Sequence, residues 1–326
     1  MTSGAIGISA PLEPAGEPYG GVHDAAWREV DWSRHERTRV VAGRRLRFVD
    51  VGHGDAAVLL LHGHGSTWQY WLEVLALLSS GDRRVIAVDL PGFGASQAYS
   101  FATTSMDAVV GALRELLDQL QVTRCDVIGH SFGTIVGIEL AVADPQRVST
   151  LTVAGGPALS IVAMFKSPLR TSIRLPRLAV TVLGDMCTAG LPIPRWVQRL
   201  VAGRRWLRRL GFGSYVARPA ELAPDLAEQL MAGVGAPGYF HLPLKARRFT
   251  PVAASELRCP VLVVNGDHDA FVPRADVAAF LRDVPYARSH TIIGAGHLVT
   301  VEYPATFVRL FTEFRNSLTS PAHATA

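Results

Sequence analysis

Short apolar runs alternate with stretches of helical period along most of this chain. Arg45 to Val51, Val58 to His62 and Val85 to Asp89 have the length and apolar character of buried strands. Trp71 to Leu78 reads as a helix between the last two, and Thr104 to Leu120 carries Val109, Leu113, Leu116, Leu117 and Leu120 at helical spacing. The strand Cys125-Asp126-Val127-Ile128, a helical pattern through Ala143 and the strand Val148 to Val153 continue the alternation. Such a sequence predicts an α/β fold with a mostly parallel central sheet flanked by helices.

After Gly156 the alternation stops for about a hundred residues, resuming with the strand Val261 to Asn265, a helix from Arg274, the strand Ala287 to Ile293 and a last helix to about Ser317. The interval is rich in Pro, Arg and Trp, and Pro192-Ile193-Pro194 precedes a helix predicted over Arg195 to Leu210. The expected division is an N-terminal extension at 1–36, a core at 37–156 and 246–320, and a mainly helical cap inserted at 157–245. Met1 to Gly21 has no basic residue and no continuous apolar stretch, so it reads as a flexible extension rather than a signal peptide.

With 48% apolar and 18% charged residues the chain can bury a large core. It has no apolar run long enough for a membrane span. Its three cysteines, Cys125, Cys187 and Cys259, are too scattered for a disulfide framework or zinc ribbon, and a cytoplasmic protein is expected. The net charge of +4 hides an asymmetry, because residues 157–245 hold 12 Lys or Arg against 4 Asp or Glu, which is +8 there and −4 elsewhere. No nucleic-acid motif accompanies this basic block, so nucleic acid is not expected as a partner. In Arg195 to Leu210, Trp196, Val197, Leu200, Val201 and Leu207 fall on one side, with Arg199, Arg205, Arg208 and Arg209 largely opposite. That pattern suits a lid packing its apolar face on the core, and it also suits weak contact with a membrane surface or lipid.

The chemistry centres on Gly129-His130-Ser131-Phe132-Gly133, placed between a strand and a helix so that the Ser131 hydroxyl stands at the apex of a tight turn. A serine needs a base beside it and a third group that orients the base. His297, in the small-residue loop Gly294-Ala295-Gly296 after a strand, is the candidate base. Two carboxylates compete as orienting acid, Asp267 and Asp269, both in the loop after Val261 to Asn265. The early strand ends in Leu61-His62-Gly63-His64-Gly65, from which the backbone N–H of His64, with that of Phe132, would form an oxyanion hole. His62-Gly63-His64 and Asp267-His268-Asp269 also look like metal ligands, but Ser66-Thr67 stand where a metallo-β-lactamase pattern continues with Asp-His. Neither a metal nor a cofactor is expected.

Together with Asp89-Leu90-Pro91-Gly92-Phe93-Gly94-Ala95-Ser96 and Glu302 and Pro304 after His297, these segments resemble the α/β-hydrolase superfamily over residues 40 to 317, in the order serine, acid, histidine. The resemblance favours Asp269, because Gly266 to Pro273 is similar to a Gly-x-x-Asp-x-x-x-Pro pattern whose later acid points inward, and Asp267 then serves the turn. It implies a capped serine hydrolase, first of all a carboxylesterase acting on a small ester with an apolar or aromatic acyl group. Thioesters, lactones and carbon–carbon bonds beside a ketone suit the same triad. A non-catalytic binding protein and a cofactor-free peroxidase or oxygenase are the other classes on this scaffold. Relatives that use a carboxylate nucleophile, the haloalkane dehalogenases and epoxide hydrolases, are disfavoured by Ser131. Trp68 near the oxyanion loop and Trp196 in the cap are the substrate-pocket candidates; Tyr70 and Trp71 either line the entrance or fill core.

Overall fold

The apolar runs become strands β1 (Glu36–Val41), β2 (Arg44–Val51), β3 (Ala56–Leu61), β4 (Arg84–Val88), β5 (Arg124–His130), β6 (Val148–Ala154), β7 (Val261–Gly266) and β8 (Arg288–Ile292) in a computed structural model of the chain. The structure describes residues 10–14, 16–21, 25–81, 83–188, 191, 193–238, 241, 245 and 249–319. The strands form one sheet in the order β1-β2-β4-β3-β5-β6-β7-β8. Only the pairings of β1 with β2 and of β2 with β4 are antiparallel. At its centre Leu59 pairs with Ile86 on one side and Val127 on the other, and all three are fully buried. Burial on both faces explains why the central strands read as unbroken apolar runs rather than alternating ones.

Helices α1 (Leu72–Ser79), α2 (Met106–Gln119), α3 (Phe132–Ala143), α10 (Arg274–Asp283), α11 (Val299–Glu302) and α12 (Pro304–Thr319) belong to the part of the chain that carries the sheet. In α2 the side chain of Ser105 accepts from the Ala108 amide at 3.1 Å, capping the helix. Between β6 and β7 lie α4 (Leu159–Lys166), α5 (Pro168–Arg174), α6 (Pro176–Thr188), α7 (Arg195–Gly203), α8 (Arg205–Phe212) and α9 (Pro224–Leu230).

Two expectations change here. The single helix over Arg195 to Leu210 is two, because Arg204 takes an extended conformation after Gly203. The buried guanidinium of Arg208 donates to the carbonyls of Ala202 and, at 2.9 Å, Ala220, which holds the break in place. The early segment, read as a flexible extension, is fastened to the core at several of its described residues. Leu12 exchanges backbone hydrogen bonds with Thr291 and Ile293 beside β8, and Glu17 accepts from the amides of Ala305 and Thr306 at the start of α12. Tyr19 and Trp27 are buried, and Trp27 Nε1 donates to Glu73 at 2.9 Å. The sequence criterion missed this because the anchors are isolated residues without a period.

Strand order places the chemistry. β3, β5, β6, β7 and β8 run parallel as neighbours, so the loops after β3, β5, β7 and β8 leave the same edge of the sheet. The order reverses between β3 and β5, and such a switch point opens a crevice at the carboxyl ends of the strands.

Candidate active site

Ser131 occupies the turn from β5 to α3 with φ 52° and ψ −114°, a left-handed conformation that a side-chain-bearing residue keeps only when its surroundings hold it there. The surroundings do so by close approach. A Cβ on Gly129 would lie 2.3 Å from the Gly133 carbonyl oxygen, and one on Gly133 would lie 2.1 Å from that of Leu61, so neither position has room for a methyl group. The Ser131 amide donates to Ala154 at 3.0 Å, and its carbonyl accepts from both the amide and the hydroxyl of Thr134. Ser131 is 6% exposed.

His297 follows β8 and is 2% exposed. Its Nδ1 lies 2.9 Å from Asp269 Oδ2. A carboxylate accepts, so Nδ1 carries the proton and Nε2 keeps the lone pair that a general base needs. The other oxygen of Asp269 accepts from the amides of Phe271 at 2.8 Å and Val272 at 3.0 Å, which fixes the carboxylate before any substrate arrives. Asp267 faces elsewhere: its Oδ1 accepts from the Gly294 amide at 2.8 Å and from His268. Of the two competing acids only Asp269 meets His297, and Asp267 braces the histidine loop instead of only its own turn. The Phe271 ring stacks on His297 at 4.5 Å.

The loops after β7 and β8 press together. A Cβ on Gly266 would lie 2.2 Å from the Ala295 carbonyl oxygen, and that oxygen accepts from the His268 amide at 2.9 Å. Buried Glu302 supports the same loop, accepting from the Gly296 and Ala217 amides, each at 2.8 Å, and from the Tyr19 hydroxyl at 2.7 Å. Burial pushes the Glu302 carboxyl above its usual range. The inserted segment also reaches the loop, since the Tyr215 carbonyl accepts from the amides of His297 at 2.8 Å and Leu298 at 3.1 Å.

Ser131, His297, His64 and Phe132 all face one cavity of about 910 Å³. Phe132 opens α3, where the first amides of a helix have no intrahelical acceptor and present a partial positive charge. The ring of His64 packs against Phe93 and Phe132 at 5.7 and 6.4 Å. The walls are mainly apolar, with Ile135, Val162 and Phe165 from one side and Phe212, Leu230 and Met231 from another. Among the described residues Lys245 is the only lysine or arginine that lines it.

Neither tryptophan proposed for the pocket lines this cavity. Trp68 is 3% exposed and packs against Trp32 at 6.0 Å, its amide held by Asp89 at 2.8 Å, so the turn that carries it points into the core. Trp196 is 69% exposed on the outside of α7. Tyr70 is the aromatic of that stretch that does reach the cavity, while Trp71 is core. Sequence reading also gave no role to His130, which stacks on Tyr70 at 4.4 Å and donates from Nε2 to the His297 carbonyl at 3.0 Å. Burial holds the His130 imidazole well below its ordinary pKa, so it is neutral. Its place next to the serine in the pentapeptide was the one available signal.

The metal-like clusters have other uses. His62 is fully buried, donates from Nδ1 to the Gly63 carbonyl at 2.7 Å and accepts the Leu90 amide on Nε2 at 3.0 Å, and burial lowers its pKa to about 4. Asp89 accepts the amides of Trp68 and Ala95 and is pushed up by burial to about 6. These contacts fix the loop beside the cavity. No helix among the described residues is long and apolar enough to cross a membrane.

Comparison with known proteins agrees with this architecture. The chain is 25% identical over 287 residues to a 2-hydroxy-6-oxononadienedioate/2-hydroxy-6-oxononatrienedioate hydrolase of Burkholderia vietnamiensis, spanning 83% of this chain and 90% of the relative. It is 26% identical over 293 residues to a 2-hydroxy-6-oxo-2,4-heptadienoate hydrolase of Pseudomonas putida, spanning 85% and 95%. Among solved structures, a thermophilic esterase from Thermogutta terrifontis superposes with a TM-score of 0.64 at 22% identity, covering 87% of this chain and 99% of that one, a likeness of fold. A family model described as the alpha/beta hydrolase family matches residues 58–310. The chain belongs to the α/β-hydrolase family.

Proposed function

We propose that this protein hydrolyses a carbon–carbon bond beside a ketone in a largely apolar substrate that carries a single carboxylate, with Ser131 as nucleophile, His297 as base and then acid, and Asp269 as the group that orients His297. The observation that carries the reading is the buried Asp269–His297 pair, whose histidine faces the same apolar cavity as a serine held in a left-handed turn. Of the bond types open from the sequence, the ester came first, but the curated relatives favour the carbon–carbon alternative. A molecule bearing only hydroxyl, oxo and carboxylate groups offers no ester, so its hydrolysis has to break a carbon–carbon bond. One relative is named for a dicarboxylate and another for a monocarboxylate. A cavity with Lys245 as its one described lysine or arginine suits the monocarboxylate better.

In this mechanism His297 takes the Ser131 proton as Oγ bonds to the ketone carbon, and the amides of His64 and Phe132 receive the developing alkoxide. Collapse breaks the carbon–carbon bond, its electron pair leaves on the departing carbon, and His297 returns the proton there. Water, deprotonated by His297, then releases the acyl group from Ser131.

The test is turnover of 2-hydroxy-6-oxohepta-2,4-dienoate, followed by loss of its dienol absorbance, beside p-nitrophenyl butyrate, for wild type and Ser131→Ala. The dienoate is expected to be the better substrate by about tenfold or more in kcat/KM, and Ser131→Ala is expected to lose on the order of 10⁴-fold. Ester turnover without dienoate turnover would return the reading to an esterase. Equal rates for both proteins would remove Ser131 from the chemistry.

A further inference from the structure

We propose that the outer face of α5 to α8 seats on an anionic phospholipid membrane surface. Each of these helices leaves two large apolar side chains in solvent one turn apart: Leu169 and Ile173, Val180 and Leu183, Trp196 and Leu200, Trp206 and Leu210. Spacings of three and four residues put each pair on one side of its helix. The exposures are high, 78% for Leu169, 69% for Trp196 and 74% for Leu210. Inner faces of the same helices are satisfied, with Leu178, Ala202 and Phe212 buried against the rest of the fold. Thr181 of α6 donates to Ser214 just beyond α8 at 3.0 Å, which ties the two helix pairs together. A soluble monomer rarely keeps an apolar surface of this extent without a partner for it.

Charge selects the partner. Residues 166–212 contain ten Lys or Arg and one acid. Arg170, Arg174, Arg195, Arg205 and Arg209 are exposed, and none forms an ion pair with a described carboxylate. A second copy docked face to face through this surface would bring two strongly cationic patches together, which is unfavourable. Lipid phosphates answer the arginines, while leucine and tryptophan enter the boundary between headgroups and acyl chains. The wall is also thin: Val182 lines the cavity beside exposed Leu183, and Gly211 lines it beside exposed Leu210. A membrane in this position would lie one helix away from the site.

The inference does not depend on which bond the site cleaves. It is tested by cosedimentation of the full chain with vesicles of phosphatidylglycerol and phosphatidylcholine, and with phosphatidylcholine alone, at low and high salt. Binding is expected to the anionic vesicles, about tenfold or more tighter than to neutral ones, and to weaken as salt screens the arginines. The pairs Trp206→Gln with Leu210→Gln, and Arg205→Gln with Arg209→Gln, are each expected to weaken it by about tenfold with the melting temperature retained. No binding to anionic vesicles at low salt overturns the proposal. So does equal binding to neutral vesicles, unchanged binding by both double variants, or a dimer in sedimentation velocity that the same substitutions dissolve.

Discussion

At the elbow a single added methyl group meets a carbonyl oxygen at 2.1 Å on Gly133, whereas on Gly203 at the end of α7 it meets nothing within 4 Å. The part of the chain that carries the sheet is packed to contact around Ser131, Asp269 and His297. The helices inserted between β6 and β7 are open outside and touch the site mainly through the cavity wall and Tyr215. The difference teaches that the two regions answer to different pressures: one holds the proposed reacting groups still, while the other presents surface.

The sharpest way to break this contrast is to disturb orientation without disturbing packing. Asp269→Asn keeps the shape of the acid and loses its charge, and kcat is expected to drop by about 10²- to 10⁴-fold while the melting temperature moves little. An unchanged kcat would show that the rigid region does not serve the chemistry. Next in size, Gly133→Ala is expected to cost about 3 kcal/mol or prevent folding, read by denaturant unfolding or by soluble yield. A neutral result would mean that the elbow yields more readily than its contacts imply.

Acid sensitivity probes the rigid region separately, through the fully buried His62. Burial lowers the folded pKa of His62 to about 4, so the unfolded chain takes up the proton first as pH falls. The contribution is whole above the ordinary histidine value near pH 6.5, declines as pH falls toward about 4, and is flat below, roughly 3 kcal/mol in all. Asp89, raised by burial to about 6, acts with the opposite sign, so the measurement is the difference in stability slope between wild type and His62→Gln. The variant should lose less stability than wild type between pH 6.5 and 4; identical slopes would remove His62 as the source. The smallest effect belongs to the open region. Gly203→Ala should raise stability by about 0.5 kcal/mol, and a loss above 1 kcal/mol would show hidden packing there.

Legibility followed the same division. The core strands were readable because two-sided burial leaves continuous apolar runs, and the elbow because close approach demands glycine at fixed spacing. Asp269 and His297 were readable from their loops, since parallel strands bring those loops to one edge. The place of the His64 segment at the cavity was readable by position, but the direction of Trp68 was not, because an aromatic in a turn packs inward or outward with the same sequence. Trp196 misled for a related reason: an amphipathic helix states that it has an apolar face and leaves unsaid what that face meets. Glu302 stands six residues from Gly296 and was visible beside His297, but Tyr19 and Tyr215 reach the histidine loop and its support across long separations in sequence, and no local period records such contacts.

The strand margins carry a practical consequence. β1 borders the sheet with Glu36, Arg37 and Arg39, charged residues that discourage a foreign strand, and Leu12 covers part of the opposite border at β8. Strand addition between neighbouring molecules is therefore guarded against on both flanks. Lengthwise growth into strand-paired assemblies should therefore not occur while the sheet is folded, even at high protein concentration.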